Sequence, residues 1–188
     1  MSERDHQALL RLLRERSVQR GDFTLAGGTR SSYYIDARRT TMSGAGQLLI
    51  GRLGLARIEE RGWRPDAVGG LTLGADPVAY AIAHAAARAD RRIDAFTVRK
   101  LPKSHGTGRR VEGAFESGMD VVLVEDVVTS GGSAISAAEA VRAEGARVLG
   151  VLCVVDREEG GAERLREAGL ELTTLATRTE LLSEDANA

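Results

Sequence analysis

The sequence predicts an α/β fold, a mainly parallel sheet flanked by helices with a small N-terminal hood. Three observations carry this. From residue 66 onward, short apolar runs alternate with stretches in which small apolar residues recur at helical spacing. The runs Val121–Val124 and Val148–Val155 are unbroken, as expected of strands buried on both faces of a parallel sheet. Residues 1–40 stand outside the alternation and read as a helix followed by a hood on the sheet. A length of 188 residues suits one domain, residues 1–188, with a real core. The α/β core is expected over 66–176.

The elements follow in order. Residues 3–17 read as an amphipathic helix with Leu9, Leu12 and Leu13 on one face. Phe23–Leu25 and Tyr33–Ala37 read as short strands around a turn-rich segment. Ser43 can cap a helix running to Arg61, with Gly62 and Pro65 as its stop. Asp66–Leu71 is a short apolar strand, and Ala75, Val78, Ala79, Ile82, Ala83 and Ala86 mark the helix after it. Ile93–Val98 is a strand, and residues 100–118 are irregular, rich in glycine and charge. Strand Val121–Val124 leads to a helix carrying Ala134, Ala137, Ala138 and Val141. Strand Val148–Val155, helix Ala162–Ala168 and strand Leu170–Leu175 complete the pattern. Residues 183–188 are polar and read as a frayed end.

Composition excludes several classes. A net charge of −1 argues against gripping nucleic acid with the whole surface. A single cysteine, Cys153, allows neither an intrachain disulfide framework nor a cysteine zinc site, and suits a reducing cytoplasm. No signal-type or membrane-spanning apolar run is present. Of 26 cationic residues only Lys100 and Lys103 are lysines, three positions apart.

In an open parallel sheet, ligands bind beyond the C-terminal strand ends. The segment 121–133, VVLVEDVVTSGGS, lies at such an end. Four apolar residues bury the strand, and Glu125 and Asp126 follow where it is expected to emerge. Val127, Val128, Thr129, Ser130, Gly131, Gly132 and Ser133 then open a helix. The glycines let backbone N–H groups approach a phosphate, the hydroxyls donate, and the helix N-terminus adds partial positive charge. The carboxylates would repel a phosphate placed on them but suit sugar hydroxyls or a hydrated metal ion. Together these describe a site for a phosphorylated ribose. The segment is neither a P-loop nor a dinucleotide fingerprint.

This segment resembles the phosphoribosyl-pyrophosphate (PRPP) signature of the type I phosphoribosyltransferases. The resemblance implies that family's fold, with a hood over an acceptor base. It implies ribose contacts from Glu125 and Asp126, the latter catalytic, and 5-phosphate binding by residues 127–133.

A second segment, Arg99 to Arg110, holds five cationic side chains and no acidic one. His105 lies among them, and Gly106 and Gly108 favour mobility. Alone it would read as a solvated basic loop. Beside a PRPP signature, such a loop is what a departing pyrophosphate needs: cations stabilise the growing charge, and closure excludes water. It closely resembles the R-K-x-x-K-x-H-G loop of orotate phosphoribosyltransferases. That implies pyrophosphate binding by Arg99, Lys100, Lys103 and His105, with Lys103 and His105 catalytic. It also implies a homodimer in which loop 100–112 reaches the neighbouring subunit's site, and Mg²⁺ held through PRPP and water without direct protein ligands.

Three further segments agree with the resemblance. Residues 23–36 resemble the hood, where Tyr33 and Tyr34 would meet the orotate ring. Residues 70–77 resemble a second phosphate-contacting loop. Arg157, just past a strand end, would fork onto the orotate carboxylate, with Thr129 nearby. Some members carry lysine where Ala26 and Gly74 stand here, so backbone N–H groups near 74–76 would replace that contact. The expected activity is Mg²⁺-dependent transfer of 5-phosphoribosyl from PRPP to orotate, giving orotidine 5′-phosphate and pyrophosphate in pyrimidine biosynthesis. The alternatives are a purine phosphoribosyltransferase, disfavoured by Arg157 and the Lys103/His105 loop, a non-catalytic PRPP-binding regulator, and a receiver domain with Asp126 as phosphoacceptor.

Overall fold

The computed structural model describes residues 2–24, 30–101 and 109–183. Helix α1 (Glu3–Arg16) starts where the Ser2 hydroxyl accepts from the Asp5 N–H, and it buries Leu9, Leu10 and Leu13. Strands β1 (Val18–Thr24) and β2 (Arg30–Ile35) form an antiparallel hairpin with a bulge between Arg20 and Phe23. A short helix α2 (Arg38–Thr41) leads to α3 (Gly44–Glu60), capped by the Ser43 hydroxyl accepting from Gly46 N–H at 3.1 Å.

The core alternates β3 (Ala67–Leu71), α4 (Ala75–Arg88), β4 (Asp94–Val98), β5 (Val111–Gly113), β6 (Asp120–Val128), α5 (Gly132–Ala143), β7 (Arg147–Asp156), α6 (Gly161–Glu167) and β8 (Leu172–Thr177). Helix α7 (Arg178–Leu182) closes the described chain with a capping box built by Thr177 and Glu180. The sheet order is β5-β4-β3-β6-β7-β8, parallel except for β4–β5. The α/β class and the mainly parallel sheet are as the sequence predicts.

Side-chain alternation along β6 explains the layering. Val122 and Val124 face a cluster built by α1, α3 and α4, while Val121 and Leu123 face one built by α5 and α6. Among the described residues, no helix is long and apolar enough to cross a membrane.

Besides shifts of two or three residues in the bounds of β2 and β8, five details differ from the sequence reading. Strand β1 begins at Val18, because pairing with β2 recruits polar residues that carry no apolar pattern. Helix α2 is one turn long, too short for periodicity to register. Strand β5 lies inside the segment read as irregular, held by edge pairing to β4. Helix α7 follows β8 where no helix was expected. Strand β6 does not end at Val124: it continues through Glu125 and Asp126 to Val128, paired with β7.

The chain leaves β3 toward β4 on one side and returns to β6 on the other. The order therefore reverses between β3 and β6, and a crevice forms beyond their C-terminal ends.

Candidate active site

The Thr129–Ser133 turn after β6 lies at that crevice. Gly131 is the residue before α5 and adopts φ 73°, a left-handed conformation that a residue with a Cβ rarely takes. This turn presents the N-terminus of α5, with Ser130 and Ser133 exposed and Gly132 half-buried. Thr129 is half-buried, and the Val128 carbonyl accepts from Arg157 N–H at 2.9 Å, which fixes the loop against the end of β7.

Glu125 and Asp126 are neighbours on a strand and so point to opposite faces. Glu125 is 5% exposed, and its Oε1 has no hydrogen-bond partner. Burial, and then the charge of Asp126, pushes its carboxyl up to about 8. Asp126 is also raised by burial, opposed by the Val127 N–H it accepts at 2.9 Å and by the Arg38 guanidinium. Arg38 Nε donates to Asp36 Oδ1 at 2.8 Å, so this pair from the N-terminal segment lies beside Asp126.

The β3–α4 turn faces the same carboxylate. A Cβ at Gly74 would stand 2.3 Å from Asp126 Oδ1, so the turn approaches to backbone distance only because residue 74 lacks one. Asp76 holds the turn: its carboxylate accepts from Thr72 Oγ1 at 2.7 Å and Thr97 Oγ1 at 2.9 Å.

Of the basic segment, Lys103 and His105 lie outside the described residues, as does Ala26. Lys100 is exposed. Arg99 pairs with Glu112 at 3.1 Å, which ties down one of the cations expected for pyrophosphate. The two ends of the loop are stapled together. Arg99 N–H donates to Arg110 O at 2.8 Å, and Arg110 Nε returns to Arg99 O at 3.1 Å. Arg110 Nη2 reaches Ser136 Oγ on α5, and Glu144 Oε1 accepts from both Arg110 N and Val111 N at 3.2 Å.

Past the end of β7, Arg157, Tyr33 and Glu159 gather together. Asp156 Oδ1 accepts from Glu158 N–H at 2.8 Å, a tight turn just past β7. Arg157 is 7% exposed within it. The Tyr33 ring lies 5.7 Å from the guanidinium carbon, and Tyr33 OH donates to Glu159 Oε1 at 3.2 Å. Tyr34, one residue on, packs its ring at 5.8 Å from Phe23 and lies within electrostatic reach of Arg38. The hairpin thus brings Tyr33 to Arg157, while Tyr34 turns toward the Arg38 side.

Sequence reasoning missed Asp36, Arg38, Asp76, Glu144 and Glu159. Their roles depend on partners distant in the chain, apart from the Asp36–Arg38 pair, whose meeting with Asp126 is also tertiary.

Comparison with known proteins agrees with this geometry. The family model described as "Phosphoribosyl transferase domain" matches residues 45–168. A Rhodopirellula baltica protein named orotate phosphoribosyltransferase is 48% identical over 180 residues, covering 94% of this chain and 93% of the relative. The Mycobacterium tuberculosis H37Rv orotate phosphoribosyltransferase in complex with Fe(III) dicitrate superposes with a TM-score of 0.86 at 44% identity, covering 95% of this chain and 99% of that one. The same enzyme's PRPP complex superposes at 0.81 and 42% identity, covering 94% and 98%. With a family model that matches residues 45–168 and relatives that match along nearly their whole length, the chain belongs to the orotate phosphoribosyltransferase family of phosphoribosyltransferases.

Proposed function

We infer that the protein transfers 5-phosphoribosyl from PRPP to orotate, releasing pyrophosphate and forming orotidine 5′-phosphate for pyrimidine synthesis in the cytoplasm. One observation carries the acceptor assignment. Arg157 is buried at the mouth of the PRPP turn, and neither its Nε nor its Nη2 has a hydrogen-bond partner. Those two atoms form one edge of the guanidinium fork, which matches a planar carboxylate. Orotate carries such a carboxylate; the common purine bases do not.

The residues divide the work. The α5 N-terminus and the Thr129–Ser133 turn bind the 5-phosphate. Asp126 takes the ribose hydroxyls, and Glu125, expected to share them, is turned to the opposite face of β6 with its carboxyl pushed up to about 8 by burial. The transition state resembles an oxocarbenium ion, and the Asp126 carboxylate favours positive charge on the ribose. Arg99, Lys100, Lys103 and His105 receive the pyrophosphate. Orotate N1 is nucleophilic once ionised, so positioning suffices and no strong base is required.

The site fits Mg²⁺ bound chiefly through substrate. Asp126, the carboxylate that faces the β3–α4 turn, can accept from the water shell of a hydrated hard cation. Among the described residues, no cluster of three acidic, histidine or cysteine side chains offers a closed metal cage. When bound, Mg²⁺ would neutralise pyrophosphate charge. A homodimer that shares loop 100–112 completes the proposal. Exposed Met42, Leu48, Leu73 and Tyr80 offer apolar surface for a second copy.

The test mixes protein, PRPP and Mg²⁺ and follows loss of orotate absorbance together with pyrophosphate release. Turnover is expected with orotate and not with adenine, guanine or hypoxanthine. Turnover with a purine alone would overturn the assignment.

A further inference from the structure

The fork of Arg157 is not simply waiting for a ligand. Glu159 Oε1 stands 2.9 Å from Arg157 Nη2, close enough for an ion pair but off the hydrogen-bonding direction, so Nη2 and Nε stay unsatisfied. The same oxygen accepts from Tyr33 OH. Arg178 bonds the Tyr33 hydroxyl and feels the charge of Glu159. Glu158, the residue between Arg157 and Glu159, accepts from Thr179 N and Oγ1 and so ties the turn to α7.

This arrangement answers a physical need. A guanidinium only 7% exposed is costly to leave without a counter-ion. An acceptor carboxylate binding the Nε–Nη2 edge would also arrive beside the Glu159 carboxylate, and two like charges at that distance repel. One of them must leave. Glu159 is partly exposed, at 30% of its side chain, and can swing outward toward Arg178. The acceptor would be held by both fork atoms, where Glu159 holds one poorly.

We propose that Glu159 is an exchangeable counter-ion for Arg157: it holds the fork while the acceptor site is free and is displaced by the acceptor's carboxylate on binding. The proposal rests on the orotate assignment above. Glu159 then acts as an internal competitor. The apparent acceptor affinity is reduced by the fraction of molecules in which the fork is open. Glu159 is a positioning residue here, acting through Arg157.

The experiment compares Glu159→Gln and Glu159→Ala with the wild-type protein in steady-state kinetics, varying orotate and PRPP separately. A fork held closed by Glu159 in most molecules predicts that both variants lower KM for orotate, by about threefold to tenfold. KM for PRPP stays unchanged. A merely structural role for Glu159 predicts the opposite, because loosening Arg157 would raise KM for orotate. An unchanged or raised orotate KM in folded variants, judged by thermal melting, overturns the proposal. Arg157→Ala is measured in parallel and is expected to raise KM for orotate. If it does not, the acceptor assignment itself fails, which is distinguishable from failure of the counter-ion exchange alone. Titration of orotate into each PRPP-free protein by calorimetry supplies a second readout. Weaker orotate binding by Glu159→Ala than by wild type also overturns the exchange.

Discussion

Burial sets the protonation of Glu125, and that has a measurable consequence for stability. Its carboxyl titrates near 8 in the folded protein against 4.5 for the free side chain, mainly through desolvation. Between those values the native state holds a proton that the unfolded chain has released. The contribution to stability is therefore full below about 4.5 and is lost as pH rises through about 8. Glu125→Gln removes this titration. The unfolding free energy of the variant relative to wild type should rise by roughly 3 to 5 kcal/mol from acid to alkaline pH across that window. Denaturant unfolding of both proteins over a pH series measures the difference. A constant difference would mean that Glu125 is already ionised when folded. The acidic pair itself was legible in the sequence, because two adjacent carboxylates after four apolar residues form a local pattern. The asymmetry between them was not. It comes from strand β6 running on to Val128, which sends Glu125 and Asp126 to opposite faces. That extension is stabilised by pairing with β7, a partner no local pattern names.

At the scale of elements, the turn between β3 and α4 limits what residue 74 can be. Gly74 has ordinary helical torsions, φ −63° and ψ −39°, so alanine would not strain the backbone. The Cβ would instead press on the Asp126 carboxylate. Asp126 is the softer partner and should move. Gly74→Ala is thus expected to melt within about 3 °C of wild type, and to lower kcat/KM for PRPP by roughly tenfold or more. A large loss of melting temperature with intact PRPP kinetics would reverse this assignment. The loop root gives a second prediction. Glu144→Ala leaves the N–H groups of Arg110 and Val111 without their carboxylate, at a cost of about 1 to 3 kcal/mol in stability. It should also lower kcat while KM for orotate holds, since the residues proposed for the acceptor, Arg157 past β7 and Tyr33 on β2, stand on other elements. Steady-state kinetics beside melting curves separate the two effects. The loop was visible in the sequence as a run of cations between glycines. Its anchor was not, because Arg110 and Glu144 are 34 residues apart and meet only once α5 packs on the sheet. Helices α4 and α5 were legible for the converse reason: their alanine and valine stripes are local periodicities, and all of Ala134, Ala137, Ala138 and Val141 are buried.

The whole molecule brings these parts together at one reversal in strand order. From β3 comes the turn that faces Asp126, and from β6 come the acids and the Thr129–Ser133 turn. The basic loop leaves from β4 on the far side of β3, and Arg157 leaves from β7 on the far side of β6. Whether the basic loop serves its own site or a neighbour's is a question of assembly, and mixed dimers answer it. Lys103→Ala and Asp126→Asn each remove a residue proposed for catalysis, so each homodimer should be nearly inactive with a melting temperature close to wild type. If the loop crosses between subunits, a mixed dimer has one site with both defects and one with neither. Co-expression in equal amounts makes about half of the dimers mixed, so about a quarter of wild-type turnover should return. If the loop serves its own subunit, every site in the mixture carries one defect, and no turnover above the homodimers appears. Tandem tags that isolate the mixed dimer sharpen the contrast, since its expected turnover per site rises to about half of wild type. Activity at the homodimer level in that purified species would end the shared-loop proposal while leaving the roles of Lys103 and Asp126 intact.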